Sequence, residues 1–167
     1  MSLRIAAAVA VAIWVAASGA VAGSAPLTLE PFGFTLRITL SDKAAQRLRK
    51  TDEGITVDAR YYGDPTPGAA RHADEVGQID LGTERVFLPG RAGTAHVSGS
   101  KLRADRLDWT EGDVKVNVNV YSSRRSSSDN LLACDFIDGP VAQVVRAQPV
   151  ALHCALIEEN AETRVRP

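Results

Sequence analysis

The chain has 167 residues, with 19 basic and 20 acidic side chains and a formal net charge of −1 at pH 7. So even a balance excludes the electrostatic footprint of a nucleic-acid binder or of a protein held on an anionic membrane. The length suits one ordinary domain with its own core, not a mini-protein that depends on cross-links.

Met1 to Ala22 reads as a secretion signal. Arg4 supplies the positive start, Ala6 to Ala17 an apolar run, and Ala20-Val21-Ala22 a small-residue cleavage site. The alternative is a retained anchor, since the run from Ala6 to Ala22 lies near the lower length limit for crossing a bilayer. Losing Arg4 with the leader leaves 18 basic and 20 acidic residues. The mature chain of about 145 residues is expected in the periplasm or outside the cell, without stable membrane insertion.

Phe34, Leu36, Ile38 and Leu40 alternate with Thr35, Arg37 and Thr39, which predicts a strand with one wet face. Ser41 or Asp42 can cap a short helix to Lys50, with Ala44, Ala45 and Leu48 on one face. Ile55 to Tyr62 is a second strand, ended by Gly63-Asp64-Pro65-Thr66-Pro67-Gly68 and a loop to about Asp74. Short strands follow at Gln78–Leu81, Arg85–Leu88 and Thr94–Ser98. Leu107 and Trp109 are expected at the core edge.

Val114, Val116, Val118 and Val120 then make the strongest strand signal, because β-branched residues fill a single face. Ser122 to Asn130 is a serine-rich loop carrying Arg124 and Arg125. Leu132, Cys134 and Phe136 alternate again. Val141 to Ala147 suits a helix or a strand, and Val150 to Leu156 gives a last strand. Residues 158–167 read as a flexible charged tail.

The 2 cysteines, Cys134 and Cys154, are an even number in an exported chain, which favours one disulfide. Two buried thiols or a metal pair are the alternatives, the latter without C-x-x-C spacing. A bond closing a loop of about 20 residues stabilises a fold by roughly 3 kcal/mol. Both cysteines fall on the apolar parity of their strands.

These elements predict an all-β fold, an antiparallel β-sandwich of seven to nine strands with one short helix, spanning residues 23–157. It resembles immunoglobulin-like and fibronectin-like sandwiches in outline. The Cys…Trp…Cys order of antibody domains is missing, because Trp109 precedes both cysteines. An outline of this kind implies no activity.

The chain contains no G-x-S-x-G, H-E-x-x-H or C-x-x-C, and no cofactor or metal is expected. The strand-end loops carry the more promising chemistry. Tyr62 and Tyr121 each close the outer face of a long strand. If those ends meet, they form an aromatic shelf beside Asp64 and Arg124, with Arg125 next to it, suited to a sugar or a protein partner. The two guanidiniums suit an acidic partner or a carboxylate ligand. The expected role is a binding module of the cell envelope, its partner an envelope protein or a small ligand. The alternatives are a small periplasmic hydrolase using His72 or His96 with a carboxylate, and a structural envelope subunit assembled by strand addition.

Overall fold

The computed structural model describes residues 31–167. The leader expected at Met1–Ala22 lies outside these residues. The elements are β1 (Phe34–Leu40), α1 (Asp42–Thr51), β2 (Gly54–Pro65), β3 (Ile79–Pro89), β4 (Gly93–Val97), β5 (Thr110–Ser122), β6 (Leu132–Cys134), β7 (Phe136–Pro140), α2 (Val141–Ala147), β8 (Val150–Leu156) and β9 (Val165–Arg166). Short 3-10 turns at Pro67–His72, Ala104–Trp109 and Ile157–Glu159 complete them. Among the described residues, no helix is long and apolar enough to cross a membrane.

The strands form two sheets, ordered β4-β1-β8-β6 and β3-β2-β5-β7-β9. Period-two sequence becomes two-sided strands. In β2, Ile55, Val57, Ala59 and Tyr61 are fully buried, and Asp58 and Arg60 between them face outward. In β5, Val116, Val118 and Val120 point inward. These residues join Phe34, Leu36 and Ile38 of β1 and Leu152 of β8 in one apolar cluster fed by both sheets.

Several details depart from the expected arrangement, and Gln78–Leu81 and Arg85–Leu88, expected as two short strands, are joined in the single strand β3. The sheets are mixed: β1 pairs parallel with β8 and β7 pairs parallel with β9, whereas the other ladders are antiparallel. Parallel neighbours need a long connection, and most of the domain lies between β1 and β8. The apolar run around Cys134 is two strands, β6 in one sheet and β7 in the other. The chain changes sheet at Asp135. Finally, Val141–Ala147 is a helix that buries Val141 and Val144, so the fold has two helices.

Asp135 also fastens the C-terminal segment, which sequence alone marks as a flexible tail. It is only 4% exposed. Its carboxylate accepts from Arg164 N (2.9 Å), His153 N (3.3 Å) and Arg166 Nε and Nη2 (3.0 and 2.8 Å). Burial pushes this carboxyl up, but the Arg166 guanidinium and the two amides hold it below its ordinary value. Glu159 likewise accepts from Ser41 Oγ (2.6 Å) and Leu156 N (2.7 Å), and Ser41 Oγ in turn caps α1 by accepting from Ala44 N. One carboxylate at each end therefore docks the segment, and Val165–Arg166 extends the larger sheet.

Cys134 and Cys154 are joined in a disulfide. They face each other directly across the β6–β8 ladder, with Cα atoms 4.0 Å apart. The bond staples neighbouring strands of one sheet at the point where the chain leaves it for the other.

Candidate functional site

The register of β2 and β5 separates the two tyrosines. Thr56 pairs with Tyr121, and Tyr62 pairs with Lys115. Six strand steps separate these positions, or about 20 Å. The strands are antiparallel, so their C-terminal ends point to opposite ends of the sheet. Tyr62 and Asp64 occupy one end, and Tyr121, Arg124 and Arg125 the other. The aromatic shelf that would join them does not form.

The end with Tyr121 is built around Glu53, a carboxylate only 2% exposed in the turn between α1 and β2. Asp52 takes a left-handed φ of 51° to end the helix and deliver the chain to this turn. Glu53 then accepts from Gly54 N (2.9 Å), Arg125 N (3.0 Å), Ser126 N (2.7 Å) and Ser126 Oγ (2.8 Å). Burial pushes its carboxyl up. The hydrogen bonds from Ser126, Arg125 and Gly54 together outweigh burial and hold it at about 2. Glu53 is thus ionised at neutral pH, and its charge is spent on backbone amides.

Glu53 fixes the start of the loop after β5 through its amides, and the Arg125 side chain lies over Gly54. Arg124 and Arg125 are both exposed, and among the described residues neither enters an ion pair. Arg124 adopts φ 57°, in the left-handed region that side chains other than glycine rarely occupy. An open cavity of about 250 Å³ lies at the same end, lined by Arg49, Asp52, Glu53, Pro89, Gly90 and Arg91 among others. Gly90 is needed there, since a Cβ would come within 2.1 Å of the Glu53 carbonyl oxygen. Tyr121 is half-buried, with its hydroxyl 3.4 Å from Asp58 Oδ2. Phe87 of β3, across Thr56 from Tyr121, is 70% exposed.

The other end carries several ion pairs, although the buried Arg106 Nε has no hydrogen-bond partner among the described residues. Tyr62 is buried and donates to Asp138 Oδ1 at 2.6 Å. Burial, followed by Asp138, pushes its hydroxyl up to about 12. Lys115 Nζ bonds Asp64 at 2.7 Å and stands 5.9 Å from the Tyr62 ring centre. Arg60 reaches Asp74 at 2.6 Å and Asp80 at 3.8 Å, and Arg106 lies 3.5 Å from Asp80.

The histidines stand apart from one another. His72 is exposed and stacks on Trp109, centroids 4.3 Å apart and planes 10° from parallel. His96 Nδ1 lies 3.5 Å from Thr35 Oγ1, and His153 Nδ1 lies 3.0 Å from Thr39 Oγ1, both on the outer face of the smaller sheet. Trp109 packs against the core edge. Among the described residues, no group of three or more His, Cys, Asp or Glu is arranged to hold a metal.

Sequence reasoning missed Glu53 and Phe87. Nothing local marks a glutamate as buried. Phe87 did leave a signal, because it shares the outward parity of Arg85, between the inward Val86 and Leu88. No family model, curated protein or solved structure matches the chain.

Proposed function

We propose that this is an exported binding module that docks an acidic partner at the end of the larger sheet formed by Tyr121, Arg124 and Arg125. The supporting observation is a division of labour. A buried carboxylate holds the loop through its amides, so two adjacent guanidiniums stay unpaired on a fixed backbone. Guanidinium forks suit carboxylates and similar planar anions. Arg124 also holds a backbone angle that glycine would hold at less cost, and strain of this kind collects at binding sites. The scaffold in this reading is a β-sandwich, immunoglobulin-like only in outline. The disulfide and the expected leader support an oxidising compartment, periplasmic or extracellular.

Titration of the oxidised protein with poly-L-glutamate tests the docking. The affinity is expected to fall as salt rises, and to drop about tenfold or more in the Arg124→Ala/Arg125→Ala double variant. Lys115→Ala, at the opposite end, is expected to bind like the wild type. A double variant that binds as tightly as the wild type refutes the reading. Export is tested separately: full-length protein with two alkylatable thiols in the cytosol refutes it.

A further inference from the structure

We infer that the acidic partner is a glycan carrying uronic acids, laid across an aromatic platform beside Arg124; this rests on the docking reading above. Thr56 pairs with Phe87 on one side and Tyr121 on the other. Two strand spacings put the backbones of these aromatic residues about 10 Å apart, close to the length of a disaccharide. Thr56 faces outward yet is 3% exposed, and its hydroxyl lies 2.8 Å from Ser123 Oγ. The position between the two aromatic residues is therefore covered and hydrogen-bonded, not an open slot.

The next rows of the same face carry planar hydrogen-bonding groups. Arg85, Asp58 and Asn119 sit side by side on β3, β2 and β5, one step along from the aromatic row. Arg85 Nε donates to Asp58 Oδ2 at 2.5 Å, and Asn119 Nδ2 donates to Asn117 Oδ1 at 2.6 Å. On these rows Arg85 is paired with Asp58, whereas Arg124 and Arg125 at the loop end enter no ion pair among the described residues.

Four chemistries could meet this surface. An acidic peptide would use the arginines and leave the platform idle. A neutral sugar would stack and leave the arginines idle. A uronide uses both: its C–H face stacks on the rings, its hydroxyls meet the amide and carboxylate row, and its carboxylate takes the guanidinium fork. A single-stranded nucleic acid also stacks and carries anions, so oligo(dT) is the competing probe.

Calorimetry on the oxidised full chain with tetragalacturonate, poly-L-glutamate and oligo(dT) tests this. Phe87→Ala is expected to weaken tetragalacturonate about tenfold and leave poly-L-glutamate unchanged, because stacking serves only the sugar. Phe87→Trp should retain tetragalacturonate binding, and thermal unfolding of both variants should match the wild type, since the ring is exposed. Arg124→Ala/Arg125→Ala should weaken both anions. If tetragalacturonate binding ignores both Phe87 variants, the glycan inference fails, while a poly-L-glutamate response to the arginine variant leaves the docking reading standing. If oligo(dT) binds more tightly than tetragalacturonate, the glycan inference fails. If the arginine variant changes neither anion, both fail.

Discussion

The two ends of the β2–β5 ladder spend their acidic residues differently. At the Tyr62 end, exposed or half-buried carboxylates neutralise side chains: Asp64 takes Lys115, Asp74 takes Arg60, and Asp138 takes the Tyr62 hydroxyl. At the Tyr121 end Asp58 also takes Arg85, but the buried Glu53 accepts from backbone amides instead. The first arrangement satisfies these side chains from within. The second orders a loop while leaving its cations to be satisfied by something else. A count of charges along the chain cannot separate the two cases, because it does not say what each carboxylate accepts from.

Removing Glu53 gives the sharpest test of this contrast. Glu53→Ala leaves its amide and hydroxyl donors without their acceptor, and a loss on the order of 2 kcal/mol is expected in urea unfolding. The loop at residues 123–129 should also become the first protease cut. Acid should act in the same direction. The folded carboxyl, at about 2, lies below its ordinary 4.5, so its contribution is complete above pH 4.5 and fades as pH falls through 2. The Tyr62 end should respond to the other extreme. Its hydroxyl is raised from 10 to about 12, so its contribution is complete below pH 10 and is lost as pH climbs through 12. Amide exchange followed at pH 3 and at pH 11 should therefore open opposite ends first. Uniform opening at both extremes would contradict the contrast. Tyr62→Phe is a milder break: it removes one bond to a carboxylate and should cost about 1–2 kcal/mol.

Much of the scaffold is legible in the residues. The alternation of Phe34-Leu36-Ile38, Ile55-Val57-Ala59 and Val116-Val118-Val120 marks three central strands, and all nine of these side chains are buried. Ser41 marks the start of α1, and the even cysteine pair the disulfide. Periodicity reports which face a residue takes, and no more. It names neither the neighbouring strand nor the register. That is why Tyr62 and Tyr121 share a face as expected and still stand about 20 Å apart. The sheet change at Asp135 escapes for a related reason. Cys134 and Phe136 keep one unbroken alternation while their strands belong to different sheets. Glu53 and Asp135 escape because a carboxylate reveals its burial only through partners distant in sequence.

The smallest expected effect separates fold from function at a single residue. Arg124 holds φ 57°, where an L side chain crowds its own backbone and glycine does not. Arg124→Gly relieves that crowding and also frees the unfolded chain. The two effects partly cancel, so stability should hold steady or rise by up to about 1 kcal/mol. Any role of Arg124 in holding the loop runs through its backbone, which glycine keeps. If the side chain is there for a partner, the variant should bind poly-L-glutamate more weakly while unfolding no earlier than the wild type. Stability and affinity would then move apart, as expected of a residue kept at some cost to the fold. A variant that lost stability instead would assign the guanidinium a structural task at this end and weaken the contrast between the two.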